Sequence, residues 1–139
     1  RQAFADFDPV KVSQYDDNKI QQLLQNTGIV RNKLKIKAAI NNAIKFLEIQ
    51  DKFGSFDQYI WQFVGGDTIQ NCWKNLGDVP ASTKESDAMS RDLTKRGFKF
   101  VGSAICYAFM QATGMVNDHL VDCFRYADCK ILANRNRLE

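Results

Sequence analysis

The sequence predicts an all-α protein. Only two prolines, Pro9 and Pro80, interrupt it, and apolar residues rarely alternate with polar ones, which leaves little room for a sheet. Ile36, Ile40, Ala43, Ile44 and Leu47 fall at the i, i+4, i+7 spacing of a helix packed on a core. Between Ser86 and Gly114 two helical stretches flank a short segment bounded by Gly97 and Gly102, the pattern of a tight helical hairpin.

In chain order, residues 1–7 read as the last turns of a helix, with Phe4 and Phe7 three apart and no capping residue ahead. The chain opens at Arg1 without a methionine, so a fragment, or a chain lacking its N-terminal part, is expected. Leu138-Glu139 is expected to be a cloning remnant ahead of a purification tag, leaving a single helical domain over residues 1–137. Asp8-Pro9 starts a short helical turn, because proline suits the first helical position. Asp16 and Asp17 cap a helix through Leu24 that places Ile20, Leu23 and Leu24 on one face, and Asn26-Thr27-Gly28 stops it.

The longest helix is predicted from about Val30 to Gln50. Arg31, Lys33, Lys35 and Lys37 crowd its first turns, where the helix dipole disfavours cations. The pattern fits a solvated face; it also fits an end relieved by an external anion. Phe53-Gly54-Ser55 closes this helix and caps the next, in which Phe56, Tyr59, Ile60 and Phe63 are spaced for burial beside Trp61. Residues 65–83 read as a polar, irregular linker.

Charge and cysteine usage limit the function classes. The formal net charge of +3 excludes a polybasic tail as a route to nucleic acid, so DNA contact would need a local patch. Cys72, Cys106, Cys123 and Cys129 form no CxxC pair and no secretory signal precedes them, which argues against a disulfide framework and for a reducing cytosol. No apolar run approaches the roughly 20 residues of a membrane span.

The hairpin carries the chemistry. Ser82-Thr83 and Ser86-Asp87 offer N-caps for a helix ending at Lys95, and Gly97 sits where a C-terminal capping glycine belongs. A second helix opens at Ser103, with Ile105, Phe109 and Ala112 as its apolar stripe, and runs to Gly114. The apolar residues of the turn must tuck between helices joined so closely. Val101-Gly102-Ser103 would then expose successive backbone N–H groups at a helix start, an anion site with no side chain at Gly102 to hold a phosphate away. Arg96 and Lys99 would add charge at the rim, making Arg96, Gly97, Lys99, Val101, Gly102 and Ser103 the candidate DNA-binding residues. Such contacts position the duplex and carry no base specificity.

The run from Lys95 to His119 (KRGFKFVGSAICYAFMQATGMVNDH) closely resembles the bacterial DNA-3-methyladenine glycosylase I family of the helix–hairpin–helix superfamily. Residues 7–12, 28–31 and 61–64 support the resemblance. It implies an all-α, helical DNA glycosylase, N-terminally incomplete, with its helix–hairpin–helix at 86–114. Such an enzyme excises 3-methyladenine from double-stranded alkylated DNA by N-glycosidic hydrolysis, in base-excision repair, without cutting the strand. The base is flipped out of the duplex. A cationic N3-methylated purine is already a good leaving group, so little acid catalysis is needed. Nothing in the sequence points to a stable oligomer, so a monomer is expected, and the bacterial cytoplasm is its expected location.

Site residues follow from the same resemblance. The family's lesion-recognising glutamate and its pocket aromatics would lie before Arg1, so no catalytic residue is assigned, and Trp61 and Trp73 do not replace them. Many superfamily members carry a catalytic aspartate where this chain has Asn117, and an amide cannot act as a base; the adjacent Asp118 is expected to point elsewhere. His119 and Cys123, four apart, would face the same way on a helical turn. The family pairs them with an N-terminal cysteine and histidine around a structural zinc, so they are the candidate metal ligands. Cys129 is a substitute candidate, while Cys72 and Cys106 are expected to be packed. Two other readings stay open: a non-catalytic helix–hairpin–helix DNA-binding module, and an α-helical protein-interaction domain.

Overall fold

The computed structural model describes residues 1–135, and side chains through residue 133, so the predicted remnant Leu138-Glu139 lies outside the described residues. Among the described residues seven α-helices dominate: α1 (Pro9–Ser13), α2 (Asp17–Gln25), α3 (Lys33–Phe53), α4 (Phe56–Trp61), α5 (Lys84–Lys95), α6 (Ser103–Thr113) and α7 (Phe124–Arg135). Two short strands, β1 (Ile69–Gln70) and β2 (Val116–Asn117), join them. The chain divides into two compact units, Arg1–Tyr59 with Asp92–Val101, and residue 60 to Arg91 with Gly102 onward.

In the first unit, short polar side chains set the helix starts. The Asp8 carboxylate accepts from the Val10 and Lys11 amides at 3.0 and 3.2 Å, with Pro9 in the first helical turn. Asp16 accepts from Lys19 N at 2.8 Å to begin α2, and Asn32 accepts from Lys35 N at 3.1 Å to begin α3. Loss of one such cap costs about 1 kcal/mol. Ile20, Leu23 and Ile36 form a buried cluster onto which Phe4, Tyr15, Leu24, Ile29 and Ile40 pack. Phe46 stacks on Phe56 with centroids 4.6 Å apart, and Phe98 lies 6.5 Å from the same Phe56 ring.

Several expectations change here. Residues 1–7 are not the last turns of an α-helix. They form a 3-10 turn in which Ala5, Asp6 and Phe7 take left-handed backbone angles, with Phe4 and Phe7 stacked at 6.1 Å. On α3, Ile44 is exposed, while Ala38 and Ile49 are buried on the side opposite Ile36 and Ala43, so the helix packs on two faces and not on the one predicted stripe. Arg31, Lys33, Lys35 and Lys37 are all exposed and make no ion pair among the described residues.

The second unit is built on α6. Its buried side is Cys106, Tyr107 and Met110, while the predicted stripe of Ile105, Phe109 and Ala112 faces solvent. The helix is apolar on both sides, so spacing alone could not select the packed one. The linker read as irregular carries β1, which pairs in parallel with β2 in the register Ile69 to Val116 and Gln70 to Asn117. Ile69 N donates to Met115 O at 2.9 Å and Asn71 N to Asn117 O at 3.2 Å. This small sheet fixes the segment after α6, where the candidate metal ligands lie.

Candidate functional site

The turn of the predicted hairpin belongs to the first unit up to Val101. Helix α5 ends in a Schellman motif: Gly97 N donates to Thr94 O at 2.9 Å and Phe98 N to Leu93 O at 3.0 Å. Gly97 holds φ +91°, a left-handed angle in which a side chain would be strained, and an added Cβ would lie 3.3 Å from Lys45 Cε. Phe98 is buried, as a tucked-in turn residue should be, but Phe100 is 54% exposed. Phe100 also sits at φ +57°, a rare angle for a non-glycine residue.

The two rim cations separate. Arg96 Nε donates to Asp92 Oδ2 at 2.6 Å, and its guanidinium lies 4.9 Å from the ring centres of both Phe53 and Tyr59. Tyr59 also donates its hydroxyl to Asp92 Oδ2 at 2.7 Å. Burial opposes ionisation of Asp92, but hydrogen bonds from Arg96 and Tyr59 outweigh it and hold this carboxyl below its usual range. Burial first, and the Asp92 charge second, push the Tyr59 phenol up. Arg96 is thus committed inward, to a clasp at the end of α5, and Lys99 is the exposed cation of the turn.

The second unit begins with Gly102, the residue before α6. Its φ of −60° suits any residue, and an added Cβ would meet nothing within 4 Å. The protein itself therefore does not require glycine here; the open space lies before a helix start with no side-chain cap. The Ser103 hydroxyl does not point to a ligand. It donates to Asp87 Oδ1 and pairs with Ser86 Oγ at 2.9 Å, so only backbone N–H groups at this helix start remain available to an anion.

After α6 the segment Gly114–Cys123 turns its polar side chains to structural use. Asn117 is 2% exposed; its amide donates to Gln70 Oε1 at 2.9 Å and to Tyr126 O at 3.2 Å. Asp118 is a hydrogen-bond hub. Oδ1 accepts from Asn71 Nδ2 at 2.6 Å and Trp73 Nε1 at 2.8 Å, and Oδ2 accepts from Gln111 Nε2 at 2.8 Å. Burial disfavours its charge, but these donors and the neighbouring Tyr107 prevail and hold Asp118 below the usual carboxylate range. The Tyr107 hydroxyl, buried beside this carboxylate, stops short of a well-formed hydrogen bond. Burial first and the Asp118 charge second push the Tyr107 phenol up.

Asp118 lines a cavity of about 440 Å³ with Trp61, Gln111, Asn117, His119 and Cys129. Oδ1 accepts two hydrogen bonds and Oδ2 one, so the carboxylate ties this loop to Asn71, Trp73 and α6. Asp118, expected to point elsewhere, lines this cavity while its oxygens accept hydrogen bonds from Asn71, Trp73 and Gln111. Trp73 serves the same hub.

His119 Nδ1 and Cys123 Sγ approach to 3.6 Å, so the structure brings the predicted ligand pair together. No group of three or more His, Cys, Asp or Glu residues suited to a metal occurs among the described residues. Cys106 is buried as expected, and burial raises its thiol pKa; Cys72 is exposed and lies 3.2 Å from the Tyr126 hydroxyl.

Sequence reading missed Asn41, Asn42 and the Asp118 hub. Asn41 donates to Gly97 O at 2.8 Å, and Asn42 holds Lys99 by two hydrogen bonds. An Asn-Asn pair inside a long helix was an available signal, because asparagine disfavours helix interiors and its presence asks for a partner.

The site is thus a segment between two helices, α5 closed by a Schellman glycine and α6 opening behind Gly102 without a side-chain cap, in a helical fold. Residues 1–126 match the model of the methyladenine glycosylase family, and the chain belongs to that family. DNA-3-methyladenine glycosylase 1 of Escherichia coli (strain K12) is 44% identical over 126 residues, 91% of this chain and 67% of that protein. A crystal structure of 3-methyladenine DNA glycosylase I superposes with a TM-score of 0.86 at 45% identity, covering 89% of this chain and 68% of the other. A tyrosine-to-phenylalanine variant of a 3-methyladenine DNA glycosylase I, solved in complex with 3-methyladenine, gives 0.85 at 32% identity, with 88% and 66% covered. The chain thus spans about two thirds of the length of these relatives.

Proposed function

We propose that the protein is a DNA glycosylase that excises 3-methyladenine from double-stranded alkylated DNA by hydrolysis of the N-glycosidic bond. The observation that carries this reading is the family membership over residues 1–126, with a relative solved in complex with 3-methyladenine. The turn and the start of α6 are the DNA anchor. Lys99 supplies the charge, and the backbone N–H groups that follow Gly102 receive a phosphate oxygen, as helix N-termini do. Arg96 and Gly97 shape the end of α5, Val101 leads into the anchor, and Ser103 contributes its amide. Asn117 takes no part in proton transfer, because its amide is committed to Gln70 and Tyr126.

His119 and Cys123 fit half of a tetrahedral Cys/His zinc site, which closes with two further N or S donors. We place a structural zinc there. Two ligands alone hold the ion weakly, so zinc is expected to be absent from this form and to bind only where two further N or S donors are supplied; zinc bound there and lost on His119→Ala supports the assignment, and zinc content unchanged by that substitution contradicts it. We further propose that the protein acts as a monomer in the cytoplasm.

The test is release of 3-methyladenine from methylated duplex DNA by the protein, read by chromatography of the freed base. Release without strand cleavage is expected. Absence of release, with salt-dependent duplex binding retained, leaves a non-catalytic binding module in its place.

A further inference from the structure

We propose that Asn42 is the positioning residue of the DNA-anchoring turn, a role that rests on the DNA reading above. The Asn42 side chain meets Lys99 as a neighbouring strand would. Lys99 N donates to Asn42 Oδ1 at 2.8 Å, and Asn42 Nδ2 donates to Lys99 O at 2.9 Å. Both backbone polar groups of the one exposed cation in the turn are held by one side chain 57 positions away. The preceding residue on α3 completes the grip, since Asn41 Nδ2 donates to Gly97 O at 2.8 Å.

The turn needs holding. Phe100, directly after Lys99, keeps a left-handed φ of +57°, a strained angle for an L-residue. Its ring is 54% exposed, so ring burial does little to offset the strain. A strained backbone angle persists only where its surroundings over-determine it. The Asn42 clasp supplies that determination from a rigid helix, α3, of 21 residues. It also leaves the Lys99 ammonium free. Lys99 lines a groove of about 480 Å³ with Phe100, Leu34 and Lys37, and neither lysine is ion-paired among the described residues. A strand of anionic phosphates matches that charge.

The proposed role gives Asn42 no phosphate contact of its own, since its amide is spent on the Lys99 backbone. Its removal should lower affinity without changing the number of counterions released, whereas removal of Lys99 should change both. The experiment measures binding of the full chain to a duplex carrying a tetrahydrofuran abasic-site analogue at several salt concentrations. For Asn42→Ala the expected result is roughly tenfold weaker binding with an unchanged slope of log K on log salt. For Lys99→Ala the slope falls by about one. Hydrogen exchange at the Lys99 amide should accelerate in Asn42→Ala while the α6 amides keep their protection. If Asn42→Ala fails to fold, Asn42→Ser, whose side chain is too short to clasp both Lys99 N and Lys99 O, should show the weakened binding instead. Wild-type affinity in a folded Asn42→Ala, or in the serine variant where alanine does not fold, overturns the proposal. So does a slope reduced as in Lys99→Ala, which would make Asn42 a direct phosphate contact. A wild-type chain that does not bind the duplex overturns the DNA reading itself, a result distinct from equal binding by wild type and variant.

Discussion

Helices α5 and α6 end in closely similar ways: each runs into a glycine with a left-handed backbone, Gly97 at φ +91° and Gly114 at +78°, and each buries the next residue, Phe98 or Met115. In both, the amide of that buried residue reaches back to the helix, Phe98 N to Leu93 O and Met115 N to Met110 O. Beyond this shared stop the two segments diverge. After Gly97 the side chains Lys99 and Phe100 are exposed, and the backbone is held from α3 by Asn41 and Asn42. After Gly114 the polar side chains themselves turn inward, Asn117 onto Gln70 and Asp118 onto Asn71, Trp73 and Gln111. One segment is stabilised through its backbone and leaves side chains for a ligand. The other is stabilised through its side chains and leaves little for one. The difference teaches which charged residue of a loop can act on a partner: the one whose hydrogen-bonding capacity the fold has not consumed.

The comparison breaks most visibly at Asp118. Asp118→Ala leaves the Trp73, Asn71 and Gln111 donors without their acceptor, and unpaired buried polar groups cost about 1–3 kcal/mol each. Urea unfolding should show a loss on the order of 2–4 kcal/mol, discounted for partial exposure of the hub. A variant of wild-type stability with reduced base release would instead make Asp118 a participant in the reaction.

A smaller effect should separate the two glycines of the hairpin. Gly97→Ala forces a side chain into a left-handed angle and against Lys45, costing about 1–2 kcal/mol in stability. Gly102→Val meets open space at an ordinary backbone angle, so it should cost stability only through the poorer N-cap that valine makes, less than Gly97→Ala. Its duplex affinity should fall, by about tenfold if one phosphate contact is displaced. Unchanged affinity for Gly102→Val would show that no phosphate approaches this helix start.

The smallest expected effect is on pH dependence. Asp92 and Asp118 both have folded-state pKa values below the ordinary 3.8. Their stabilisation is therefore fully present above the unfolded-state pKa of 3.8 and is lost as pH falls through the lowered folded values. Tyr59 and Tyr107 are raised above 10.0, so their contribution is complete below that pH and declines as pH rises toward the folded values. Chemical unfolding across pH should give a plateau between these limits, and Asp118→Asn should make its acid edge shallower. An acid edge unchanged in that variant would assign it to Asp92 and its Arg96 partner.

Much of the fold was legible because local signals agree with the tertiary outcome. Asp8-Pro9, Asp16 and Ser55 start helices by accepting nearby amides, and Gly54, Gly97 and Gly114 end them by adopting angles other residues avoid. The hairpin bounds and the meeting of His119 with Cys123 rest on spacing along a few turns of chain, which sequence carries directly.

Contacts distant in sequence decided the rest. Whether α6 buries Ile105 or Cys106 depends on what packs against it, because both sides are apolar. Whether Arg96 reaches outward depends on Asp92, Phe53 and Tyr59, of which only Asp92 lies on its own helix. The β1–β2 pair requires segments 47 positions apart, each too short to show a strand period. The sequence by itself determined where helices start and stop and which residues follow each glycine. Only the tertiary structure decided which of those residues remain free, because a side chain's availability is what is left after long-range hydrogen bonds and packing have taken their share.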